Sequence, residues 1–85
     1  MKKKILVVDD EPSILELIEY NLESNDYQVF TATDGQMAFE KVSRNEFDLM
    51  LLDQMLPKLS GLEVLKKMRM SGNLTPVIFL TAVDS

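Results

Sequence analysis

The sequence contains no cysteine and no histidine. The first absence excludes a disulfide scaffold, a thiolate metal site and a catalytic thiol. The second removes the commonest general base and zinc ligand, so any metal chemistry falls to carboxylates. A basic stripe is missing as well: 9 Lys and Arg stand against 14 Asp and Glu, a net charge of −5. That balance argues against direct nucleic-acid binding by this segment and leaves cations or basic protein surfaces as partners. No apolar stretch approaches membrane-spanning length. The run Ile5-Leu6-Val7-Val8 after Lys2-Lys3-Lys4 stops at Asp9-Asp10-Glu11, far short of an export signal. A cytoplasmic protein that does not engage a membrane is expected.

What is present suits a small packed domain. The 85 residues allow one domain at most, and a chain of that size buries a smaller share of its surface than a full-sized domain does. With 46% hydrophobic and 27% charged residues it has the composition of a folded chain, not a disordered one.

Ile5-Leu6-Val7-Val8 reads as a strand buried on both faces. Pro12 opens a helix, since proline at the first helical position forfeits no hydrogen bond; Ile14, Leu15, Leu17, Ile18 and Leu22 recur at helical spacing until Ser24-Asn25-Asp26. Tyr27 to Ala32 is aromatic and β-branched, a second strand. A helix follows Thr33, which stands at capping-box spacing from Gln36 and precedes the apolar Ala38, Phe39 and Val42. Leu49-Met50-Leu51-Leu52 is a third strand ending at Asp53, followed by a loop from Gln54 to Leu59 that Pro57 stiffens. Ser60 and Glu63 form another capping-box pattern, opening a helix through Leu62, Leu65 and Met68 that ends near Ser71-Gly72. Pro76 to Thr81 is a fourth strand. The order β-α-β-α-β-α-β demands parallel strands joined by right-handed crossovers, a doubly wound α/β sheet.

Ligands in such sheets bind beyond the carboxyl ends of the strands. Strand one ends in Asp9-Asp10, strand three in Asp53 and strand four in Thr81-Ala82. Taken singly, the acidic pair reads as helix-favouring charge, Asp53 as a turn residue and Thr81 as a strand-end hydroxyl. Together, with strands one and three as neighbours, they place three carboxylates within a few ångströms. Like charges so packed repel and raise one another's pKa unless a cation neutralises them. All-oxygen donors suit a hard cation, Mg²⁺ or Mn²⁺, that keeps waters for a phosphate to displace. An aspartate beside that ion can attack a phosphoryl donor and form an acyl phosphate, with Thr81 donating a hydrogen bond.

At these residues the sequence resembles the receiver domains of two-component response regulators, particularly the winged-helix transcription-factor subfamily. Lys4 to Glu11 looks like the family's opening strand and acidic pair, and Asp34-Gly35 like its second helix entry. Leu52-Asp53-Gln54-Met55-Leu56-Pro57 with Gly61 looks like the phosphorylation-site strand and loop, and Pro76 to Ala82 like the fourth strand. The resemblance implies a flavodoxin-like receiver fold of strand order 2-1-3-4, a receiver domain over 1–85 with no output domain. It implies that Asp53 is the phosphoacceptor, that Asp10 and Asp53 ligate Mg²⁺ directly, that Asp9 acts through water and that Met55 adds its backbone carbonyl. Thr81 would be the switch hydroxyl, Ala82 would leave room for the phosphoryl group, and a sensor histidine kinase would be the donor.

Two departures from the family pattern stand out. Gln54 replaces the apolar residue that usually follows the phosphoacceptor. The last strand and last two helices of the family are absent, with the lysine that pairs with the phosphoryl group, so the fourth strand is expected as an exposed edge that favours self-association. Two other classes compete with a signalling module. An aspartyl-nucleophile phosphatase would repeat an acid two residues after Asp53, where Met55 stands. An interaction fragment would keep the acidic site without being phosphorylated.

Overall fold

A computed structural model describes residues 2–80. Seven elements alternate along the chain: β1 (Lys4–Val8), α1 (Pro12–Glu23), β2 (Gln28–Ala32), α2 (Gly35–Arg44), β3 (Leu49–Asp53), α3 (Gly61–Met70) and β4 (Val77–Leu80). All strand pairs are parallel and the sheet runs in the order β2-β1-β3-β4, the doubly wound α/β architecture expected. Parallel neighbours need crossovers, and the helices provide them on both faces of the sheet.

Alternation along the strands sorts the core into two layers. Leu6 and Val8 of β1 and Met50 and Leu52 of β3 point to the side of α2 and α3, where they meet Ala38, Val42, Val64 and Met68. Ile5 and Val7 point to the other side, where Leu15 of α1 meets them together with partly buried Ile18, Leu22, Leu49 and Leu51. This is why β1 reads as a continuous apolar run: each of its faces has a helix against it.

Element ends follow local chemistry, with two corrections. The Ser60 hydroxyl accepts from the Glu63 N–H, and Glu63 accepts in turn from the Ser60 N–H, the reciprocal box expected at α3. At α2 the cap is Asp34, not Thr33: its carboxylate accepts from the Met37 N–H at 2.7 Å. A carboxylate there also meets the positive end of the helix dipole, which a hydroxyl serves less well. The apolar stripes are narrower than spacing suggested. Leu17 and Leu62 face solvent, because only the line Leu15, Ile18, Leu22 of α1 and the line Val64, Met68 of α3 reach the sheet. The strand expected over Pro76 to Thr81 is described as β4 up to Leu80; Thr81 lies outside the described residues.

Candidate acidic site

Strand register brings the carboxylates together. Val8 of β1 lies opposite Leu52 of β3, so the next residue on each chain, Asp9 and Asp53, emerges at the same sheet end. The Asp9 N–H still donates to the Ala32 carbonyl, which prolongs the ladder by one step and keeps Asp9 on the side of Ile5 and Val7. By the same alternation Asp53 shares the side of Leu49 and Leu51. Neighbouring strands are ~4.8 Å apart, so two aspartates in register on one face must meet. Asp10 joins them where the chain turns toward α1: one oxygen from each of Asp9, Asp10 and Asp53 lies within 4.8 Å of the others.

The three are not equivalent. Asp9 is buried, Asp53 partly buried and Asp10 exposed. Asp9 does not cap α1, whose N-cap Glu11 has no side-chain bond; its carboxylate instead accepts the Glu11 N–H at 2.9 Å, tying the β1–α1 turn. Burial pushes the Asp53 carboxyl above its ordinary range, with the charges of Asp9 and Asp10 adding to the rise. Hydrogen bonds from the Met55 and Gln54 backbone oppose it. The Met55 bond, though long at 3.4 Å, is the main one holding the rise in check.

Beside the cluster opens a cleft of about 550 Å³ lined by Asp10, Gln54, Met55, Leu56, Pro57 and Ser60. Its rim is the β3–α3 loop, which is held at both ends. Toward α2, the Gly35 N–H donates to the Pro57 carbonyl at 3.2 Å, and Lys58 pairs with Asp34 at 3.6 Å. A Cβ at Gly35 would overlap the Leu59 backbone, so glycine is required by close approach. Lys58 adopts φ 72°, a left-handed conformation that costs a lysine about 1 kcal/mol and is sustained by these flanking contacts. Toward α3, Gly61 lies against the Asp53 carbonyl, which a Cβ would approach to 2.5 Å.

The donor set is all oxygen, clustered, partly desolvated and open on one side. That fits a hard divalent cation retaining waters, and it lacks the nitrogen and sulfur donors that zinc or copper prefers. Of the residues singled out in the sequence, Asp9, Asp10 and Asp53 are brought together and Met55 stands on the cleft rim. Thr81 and Ala82 lie outside the described residues. The side chain of Gln54 is a participant that spacing did not reveal: its Oε1 accepts the Leu62 N–H at 2.6 Å. A glutamine eight residues away matches no local capping pattern, so only the folded loop discloses it.

Comparisons with known proteins identify the family and the fold. The family model described as "Response regulator receiver domain" matches residues 5–85. The alkaline phosphatase synthesis transcriptional regulatory protein PhoP of Bacillus subtilis is 52% identical over 84 residues, 99% of this chain and 35% of that protein. The chain therefore spans about a third of the length of that relative. Among solved structures, the receiver domain of the Francisella response regulator 1452 superposes with a TM-score of 0.93 at 37% identity, covering 99% of this chain and 69% of that one. The response regulator TrrA of Thermotoga maritima, solved in complex with Mg²⁺-BeF, gives 0.85 at 40% identity over 91% of this chain and 67% of its own.

Proposed function

The chain belongs to the response regulator receiver domain family, and from that premise we propose that it is a phosphoacceptor switch whose Asp53 takes a phosphoryl group from a sensor histidine kinase. The observation that carries the reading is the meeting of Asp9, Asp10 and Asp53 at the carboxyl end of two adjacent parallel strands. Asp10 and Asp53 would hold Mg²⁺ directly, Asp9 through water, and Met55 through its backbone carbonyl. Bound there, the ion would offset the mutual repulsion of the carboxylates and the charge on the transferring oxygens.

The remaining work belongs to the chain. An oxygen of ionised Asp53 attacks the phosphorus of a phosphohistidine; the O–P bond forms as the P–N bond breaks, and its electron pair returns to the imidazole nitrogen, which takes a proton from solvent. Burial and the neighbouring carboxylates push the Asp53 carboxyl up in the metal-free protein, and a cation held there would favour the ionised form that attacks. The cleft beside it admits the donor from the open side. On the family likeness, Thr81 supplies the hydroxyl that turns toward the phosphoryl group and Ala82 leaves it space. Receiver domains are signalling modules and not turnover enzymes. On the likeness to PhoP, the phosphorylated state controls a DNA-binding output in a longer, cytoplasmic protein.

The test is labelling by a small acyl phosphate donor with and without Mg²⁺. Metal-dependent incorporation in the wild type that disappears in Asp53→Asn supports the reading; no incorporation in either sinks it in favour of an interaction fragment. That second reading has one observation behind it. β4 is an edge strand among the described residues, and Ile78 on it is 55% exposed. Unpaired edge groups beside apolar side chains favour pairing with another copy.

A further inference from the structure

α3 begins against the loop that carries the acidic site, and the accounting of its first N–H groups is unusual. A helix leaves its first four donors without intrahelical partners near the start. Here the Gly61 N–H donates to the Gln54 backbone carbonyl at 2.9 Å and the Leu62 N–H to the Gln54 Oε1 at 2.6 Å. The Glu63 N–H donates to the Ser60 hydroxyl at 3.2 Å. Gln54 thus serves two successive donors, one with its main chain and one with its side chain. It is bonded covalently to Asp53 on one side and Met55 on the other.

The junction is tight as well as bonded. A Cβ at Gly61 would come within 2.5 Å of the Asp53 carbonyl and 2.8 Å of the Gln54 Oε1, so the helix start rests directly on this dipeptide. One turn further on, Val64 and Met68 are fully buried against the sheet, which makes α3 a fixed reference. An apolar side chain at position 54 would keep the main-chain bond and lose the second, leaving the Leu62 N–H to water and the loop one restraint short.

We propose that Gln54 is a positioning residue for the acidic site: its side-chain clamp on the Leu62 N–H holds Asp53 and the Met55 segment in the arrangement that receives a divalent cation. The inference rests on the phosphoacceptor reading above and concerns how this chain, in particular, sets its affinity for the ion. Oriented supports of metal ligands carry about 10- to 100-fold in metal affinity. A support acting through the backbone belongs at the lower end of that range.

The experiment compares wild type, Gln54→Leu, Gln54→Glu and Glu63→Ala by Mn²⁺ titration followed by electron paramagnetic resonance, and by amide hydrogen exchange at Leu62 without metal. Glu63→Ala loosens the same helix end through the capping box, away from Asp53, and controls for loss of helix stability alone. The expected result is Mn²⁺ binding weakened about tenfold in Gln54→Leu with faster exchange at Leu62. Glu63→Ala should stay within about twofold of wild type. Gln54→Glu, which keeps an acceptor oxygen, should restore protection of Leu62. Unchanged Mn²⁺ affinity in Gln54→Leu, or equal weakening in Glu63→Ala, overturns the inference while leaving the phosphoacceptor reading intact. Absence of Mn²⁺ binding by the wild type overturns that reading, and this inference with it.

Discussion

The two faces of the sheet are built from the same four strands and differ in how they are covered. Toward α2 and α3, Leu6, Val8, Met50 and Leu52 are sealed completely. Toward α1, Leu49 and Leu51 remain partly exposed, and a groove of about 350 Å³ runs beside Ile5, Leu22 and Tyr27. β3 shows the contrast within five residues, its burial alternating with the pleat. Residue type does not explain it, since Leu51 and Leu52 are both leucine. On β3 the side with a single helix leaves side chains partly open, whereas Ile5 and Val7 of β1, beneath α1 itself, are buried. The acidic site lies on the less covered side, where Asp53 continues the line of Leu49 and Leu51. On the phosphoacceptor reading the site would have to admit a donor and an ion, which that openness allows and the packing found opposite would prevent.

The largest effect that would sharpen this contrast is on stability. Leu52→Ala should cost about 3–5 kcal/mol, because the sealed face cannot collapse around the void, whereas Leu51→Ala should cost about 1–2 kcal/mol, part of its surface being wet already. Urea unfolding of both variants checks this; equal costs would mean that the two faces are covered alike in solution.

A smaller effect follows from Asp53. Its folded carboxyl titrates above the ordinary value, chiefly through burial, so in the interval between the unfolded and folded pKa the native state holds more protons. Stability then falls as pH rises through that interval. Asp53→Asn should remove this decline and stabilise the metal-free protein at neutral pH, while Mg²⁺ should stabilise only the wild type. Thermal melts from pH 3 to 7, with and without Mg²⁺, read it out. Asp34 and Glu63 act in the opposite sense: hydrogen bonds from the Met37 and Ser60 backbones, respectively, are the main causes that hold them below the usual range. The stability they lend is present above their unfolded pKa and is lost as the medium turns acid. Glu63 is exposed and Asp34 partly buried, so the share of Glu63 is the smaller.

The smallest effect on stability is expected at the sheet edge. Ile78→Lys should alter the unfolding free energy by no more than about 0.5 kcal/mol, as surface changes generally do. It should also abolish any concentration-dependent association seen by sedimentation velocity. Persistence of association in that variant would move the contact from the edge of β4 to the groove beside α1.

Much of this was readable beforehand. Continuous apolar runs announced β1 and β3, Pro12 opened α1 where expected, and the Ser60–Glu63 box marked the start of α3 to the residue. The clustering of Asp9, Asp10 and Asp53 was legible because they close apolar strands, and a parallel sheet gathers such ends together. The misreadings share a cause. Thr33 and Asp34 both suit a cap, and which one serves depends on the path of the chain out of β2; Leu17 and Leu62 have helical spacing but no neighbour to bury them. Gln54 was visible only as an unusual polar residue in a loop.

Local chemistry, acting through propensity, capping and apolar runs, was enough to specify the elements, their order and the strand ends at which the carboxylates lie, because each depends on neighbours within a few positions. Tertiary structure alone decided which apolar side chains are sealed, how far Asp53 is desolvated and what the Gln54 amide holds. These depend on groups distant along the chain that meet only when the helices settle on the sheet, and no spacing rule carries that information.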